Sequence, residues 1–88
     1  MDEIAGWRKR IDEIDIRLLE LLNGRAQCAM TIGKIKMAEG LKIYNPEREK
    51  SVLANIKEQN KGPLDNNSVQ RIFECIIEEC RKIEINAV

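Results

Sequence analysis

The sequence predicts an all-α fold: three helices, one long and two shorter, forming an intertwined helical homodimer. Three observations carry that expectation. From Ile4 to Ile35 apolar residues recur at alternating spacings of four and three, the period of a helical seam and not of a strand. Both prolines, Pro46 and Pro63, stand at joints between apolar stripes and not inside them. The first stripe is also too long for the remainder of so short a chain to cover.

The first helix is expected from about Glu3 to about Ala38. Its seam is Ile4, Trp7, Ile11, Ile14, Leu18, Leu21, Cys28, Ile32 and Ile35. Gly40, in "AEGLKIYNPE", is a good C-terminal stop because glycine adopts the left-handed conformation that ends helices. At ~1.5 Å per residue, about 36 residues make a rod of about 54 Å. A compact chain of this length has a radius of gyration of only ~12 Å. Helix 1 must therefore project, and a second copy of the chain is the simplest cover for its seam. The competing arrangement is a bent helix, since Gly24 and Gly33 each lower helix propensity by ~1 kcal/mol relative to Ala.

The second helix, about 46–59, starts at "NPERE": Asn45 is a strong N-cap and Pro46 a favoured first residue. Its stripe is Val52, Leu53 and Ile56, and "NKGPLD" ends it. The third helix, about 66–85, follows the N-cap candidate Asp65. Its stripe is Val69, Ile72, Phe73, Ile76, Ile77, Cys80 and Ile83. Without repeats or low-complexity linkers, positions 1–88 read as a single domain.

Composition narrows the function classes. Lys and Arg number 15, and so do Asp and Glu, whereas a nucleic-acid binder usually carries a basic excess. No apolar run approaches the ~20 residues of a membrane span. The segment "MDEIAGW" lacks the basic-then-apolar pattern of a signal peptide, so a cytoplasmic location is the expectation. The three cysteines, Cys28, Cys75 and Cys80, are odd in number and widely spaced; they read as small core residues and not as a disulfide framework. There is no histidine, which removes imidazole acid–base catalysis and His zinc sites together.

The informative residues are charges on apolar stripes. Arg25 lies seven residues after Leu18 and seven before Ile32, on the seam. Breaking a buried ion pair costs ~3–5 kcal/mol, so a buried Arg needs a partner. Lys36 lies eleven residues further, which returns to within ~20° of the same face about 16 Å along the axis. Glu49, flanked by Arg48, falls on the apolar face of helix 2, and Glu84 falls on the stripe of helix 3. Polar groups aimed into a bundle interior are how such folds build ligand sites. Structural readings compete. Arg25 can pair with Glu49 or set seam register, Lys36 can snorkel, and Glu84 can be frayed and solvated. Tyr44 reads as loop packing and Trp7 as seam packing.

"RKRIDEIDIRLLELLNGRAQCAMTIGKIK", "IYNPERE" and "GPLDNNSVQRIFECIIEECRKIE", in that order and spacing, resemble the all-helical class of chorismate mutase. The likeness is greatest to the mutase domain of bifunctional mutase–prephenate dehydratase proteins, and spans about Asp2 to Glu84. The resemblance implies a homodimer that rearranges chorismate to prephenate in Phe/Tyr biosynthesis, with no cofactor and no covalent intermediate. Arg8 would reach into the partner's site and grip one carboxylate; Arg25 would bind the other. Lys36 would hydrogen-bond the ether oxygen. Arg48 would add positive field, Glu49 would accept from the ring hydroxyl, and Asn45 would offer that hydroxyl its backbone N–H. Geometry agrees on Arg8: it is 17 residues from Arg25, about 25 Å along one helix and on a different face. The two cannot grip one small molecule from the same chain.

Three positions depart from the best-known members. Asn45 stands where Asp is common, Cys80 where a Ser helps bind a carboxylate, and Glu84 where some members carry a Gln that donates to the ether oxygen. An ionised Glu cannot donate, so Glu84 is expected to act protonated, with activity falling as pH rises. Two other functions fit the same scaffold: an isochorismate-pyruvate lyase, and a non-catalytic dimerisation or regulatory module that binds chorismate. A generic coiled-coil protein would have no use for inward Lys36, Glu49 and Glu84.

Overall fold

A computed structural model describes residues 2–87. It contains three helices: α1 (Glu3–Glu39), α2 (Pro46–Gln59) and α3 (Asn66–Ile85). Helix α1 runs its 37 residues without interruption, at Gly24 and Gly33 included. The chain is 58 Å in its longest dimension and has a radius of gyration of 16.3 Å, well above the ~12 Å of a compact chain this long.

Local chemistry sets the ends. Gly40 closes α1 at φ 68°, its N–H donating to the Lys36 and Met37 carbonyls, a conformation that any side chain would strain. The Asn45 side chain accepts from the Arg48 N–H at 3.1 Å, and Pro46 fills the first turn of α2. The Asp65 carboxylate accepts from the Ser68 N–H at 2.7 Å. That bond, with the Ser68 side chain next, holds the Asp65 carboxyl below its ordinary titration range. Asn60 ties the α2–α3 turn: its amide donates to the Leu64 carbonyl and to Asn66 Oδ1, each at 2.8 Å.

Helix α3 packs on both α1 and α2, which do not meet each other. Gly33 is buried where α3 crosses: a Cβ there would lie 2.5 Å from the Glu84 carbonyl oxygen. The glycine read from the sequence as a weak point is a close-approach site. Gly24 has nothing within 4 Å and serves no such purpose.

The buried apolar set is small: Val69, Ile77, Cys80 and Ala87. Two expected core cysteines are corrected, since Cys28 and Cys75 are exposed and only Cys80 is buried. Cys28 faces the open cleft described below. Cys75 is two residues from Ile77, about 160° round the helix and so on its outer side. Ile72, placed on the α3 stripe, is also largely exposed. The N-terminal half of α1 has no cover: every residue from 2 to 20 is exposed, Ile4, Trp7, Ile11, Ile14 and Leu18 included. Among the described residues, no helix is long and apolar enough to cross a membrane.

Candidate functional site

The C-terminal half of α1, the start of α2 and the C-terminal half of α3 enclose an open cleft of about 240 Å³. Helical spacing explains its lining. From α1 come Arg25, Cys28, Ile32 and Lys36, from α2 Arg48, Glu49 and Val52, and from α3 Ile77, Cys80, Arg81 and Glu84. Successive members of each set are one to four residues apart, so each set is one helical face. Seven of the site candidates meet here: Arg25, Lys36, Asn45, Arg48, Glu49, Cys80 and Glu84. Arg8 does not. It lies exposed on the uncovered half of α1, about 25 Å along the axis from Arg25 of its own chain.

Two ion pairs organise the cleft. Lys36 Nζ is 3.1 Å from Glu84 Oε1, with the two side chains only 19% and 14% exposed. The same ammonium donates to the Ile43 carbonyl at 2.9 Å, tying α1 to the connector before α2. Glu84 is therefore not the frayed, solvated terminal residue that its place in the sequence allowed.

On the other wall, Arg81 grips Glu49 with two bonds, Nε to Oε2 at 2.9 Å and a terminal nitrogen to Oε1 at 3.1 Å. Its guanidinium also lies 5.0 Å over the centre of the Tyr44 ring, within cation–π range. The hydrogen bonds to Glu49 push the Arg81 pKa above its ordinary value, and desolvation opposes them. The alternative pairing of Arg25 with Glu49 is thus replaced by Arg81 with Glu49. Tyr44 does more than fill the loop. Sequence reasoning passed over Arg81, although it stands four residues after Ile77, a spacing that puts it beside the α3 stripe.

What remains unpaired defines the chemistry. Among the described residues, Arg25, Lys36, Arg48 and Arg81 line the cleft with two carboxylates, Glu49 and Glu84. Lys36 and Arg81 are taken by those carboxylates. Among the described residues, the guanidinium groups of Arg25 and Arg48 have no carboxylate partner. The cleft thus keeps two excess positive charges on planar donor forks, the geometry that suits carboxylates. Among the described residues, no three His, Cys, Asp or Glu side chains cluster as metal ligands do.

Comparison with known proteins agrees with this architecture. A bifunctional chorismate mutase/prephenate dehydratase of Stutzerimonas stutzeri is 42% identical over 88 residues, covering 94% of this chain and 24% of that protein. The chain thus spans about a quarter of the length of such bifunctional relatives. A chorismate mutase of Methanocaldococcus jannaschii is 35% identical, with 96% of this chain and 86% of that protein covered. The crystal structure of Helicobacter pylori chorismate mutase in complex with prephenate superposes with a TM-score of 0.89 at 26% identity, over 99% of this chain and 94% of that one. The profile of the family described as chorismate mutase type II matches residues 7–85, and the chain belongs to that family.

Proposed function

We propose that this chain is a chorismate mutase, converting chorismate to prephenate in Phe/Tyr biosynthesis. In that rearrangement an ether C–O bond breaks as a C–C bond forms within one molecule, without cofactor or covalent intermediate. The observation that carries the reading is the pair of unpartnered guanidinium groups, Arg25 and Arg48, in a cleft whose other charges are matched. A carboxylate-bearing ligand is what such a cleft lacks, with Arg8 of a second copy left for a further carboxylate.

The roles follow from donor capacity. Arg25 binds one carboxylate, and Arg48 adds positive field beside it. Lys36 has three N–H donors; Glu84 and the Ile43 carbonyl occupy two, leaving one for the ether oxygen, where negative charge grows. Glu49 uses one acceptor site on each oxygen for Arg81 and keeps others for the ring hydroxyl. The backbone N–H of Asn45 makes no hydrogen bond among the described residues and is offered to the same hydroxyl. Cys80 contributes a weak S–H donor at most.

The cleft is completed by a second copy of the chain, whose α1 brings Arg8 to the other carboxylate. The uncovered apolar seam of α1 supports an intertwined dimer. The magnitudes are adequate. A millionfold acceleration needs about 8 kcal/mol, and preorganised donors on developing charge supply ~3–4 kcal/mol each. Holding the substrate in its compact, reactive shape adds more.

The test is conversion of chorismate by the purified protein, with isochorismate in parallel. Prephenate formation supports the mutase reading. Pyruvate release from isochorismate alone replaces it with the lyase, and binding without turnover with a regulatory module.

A further inference from the structure

We propose that Arg81 is a positioning residue of the site: it occupies Glu49 so that Arg25 and Arg48 stay free for a substrate carboxylate. The inference rests on the mutase reading above and adds to it a residue outside the expected substrate-contacting set.

The cleft poses a problem of internal competition. Glu49 lines the same small space as Arg25 and Arg48. An ionised carboxylate among unpaired guanidinium groups pairs with one of them in preference to standing alone. Such a pair would block a carboxylate-binding group, and a bare Glu49 would repel a dianion. Arg81 prevents both. Its two bonds, at 2.9 and 3.1 Å, fix the plane of the Glu49 carboxylate and neutralise its charge.

The clamp is itself held. Arg81 leaves α3 one residue after buried Cys80, reaches Glu49 in the first turn of α2, and stacks on Tyr44. Tyr44 immediately precedes the α2 cap Asn45, so ring, guanidinium and carboxylate link α3 to the connector and the start of α2. Arg81 and Glu49 are about a third and a quarter exposed. The two-pronged geometry lets such a pair contribute to stability, and it also fixes the orientation of Glu49.

The experiment is steady-state kinetics of chorismate conversion for wild type, Arg81→Met, Arg81→Lys, Glu49→Gln and Arg81→Met/Glu49→Gln, with circular dichroism and melting curves for each. The expectation for Arg81→Met is a KM raised on the order of tenfold or more, the scale of a lost hydrogen bond to a charged group, with a smaller fall in kcat and an unchanged helical spectrum. Arg81→Lys keeps the charge without the fork and recovers part of the loss. In the Glu49→Gln background, Arg81→Met costs almost nothing further, because a neutral amide neither captures a guanidinium nor repels a dianion. Multiplicative losses in the double variant, or an Arg81→Met KM equal to wild type, overturn the proposal. A lowered melting temperature with kcat and KM both intact assigns Arg81 a structural role and also overturns it. A wild-type chain that turns over no chorismate overturns the mutase reading, and this inference with it.

Discussion

Lys36 and Glu84 are 3.1 Å apart and mostly shielded from water, and their pairing sets a condition on the proposed catalysis. While Glu84 is ionised it holds Lys36 and has no proton to offer. Glu84→Gln places an amide N–H donor where the carboxylate stood, so kcat/KM at neutral pH should rise. An unchanged or lower value overturns the assignment. In its proposed role Lys36 donates to developing charge, so for Lys36→Met kcat/KM should drop by ~10²–10³ with the helical spectrum intact.

At the scale of the helices, two glycines of equal propensity have opposite consequences. Gly24→Ala meets open space and should stabilise α1 by up to ~1 kcal/mol. Gly33→Ala meets the Glu84 backbone at 2.5 Å, so α3 must move. Overpacking of ~1–3 kcal/mol outweighs the propensity gain, and Glu84 shifts with its helix. Thermal melting should rise for the first variant and fall for the second, and only the second should lose activity. Asp65 supplies a pH test of the α3 cap. Its carboxyl titrates below the ordinary carboxylate range because it accepts from the Ser68 N–H. Its stabilising contribution is thus present above the unfolded pKa and lost as pH falls through the lower folded value. The melting-temperature gap between wild type and Asp65→Ala should accordingly be widest near neutrality and close on acidification. Helix ends were legible in the sequence because caps are local: Asn45, Pro46, Asp65 and Gly40 act within a few residues of themselves. The need for Gly33 was not legible, since it arises from a backbone more than fifty positions away, at Glu84. Arg81 was missed for a similar reason. Only the meeting of α3 with the start of α2 shows that Glu49 is its partner.

For the molecule as a whole, the difficulty is how little the single chain buries. Among the described residues, four apolar side chains and Gly33 are a thin core for a chain whose ordering costs ~1–2 kcal/mol per residue in backbone entropy alone. Ile4, Trp7, Ile11, Ile14 and Leu18 stay exposed, although burial of each would contribute roughly 1.5–3 kcal/mol. The length of this seam was readable from its period, but residues 2–87 hold no cover for it. The proposed two-fold dimer would meet the need, because a self-complementary face on each copy covers the other. Ile11→Lys with Ile14→Lys should then abolish the dimer in sedimentation analysis and melt much of the helix. The same arrangement fixes how sites are shared. If each cleft uses Arg25 of one chain and Arg8 of the other, Arg8→Ala and Arg25→Ala homodimers each have two damaged sites. A mixed dimer has one site lacking both arginines and one wholly intact. Unfolding and refolding the two inactive variants together at equal concentration should restore about a quarter of wild-type activity, since half the dimers are mixed and each has one good site of two. If Arg8 served the cleft of its own chain, no mixture would contain an intact site. Recovery at the level of the separate variants would then remove Arg8 from the partner's cleft while leaving the seam argument for the dimer untouched.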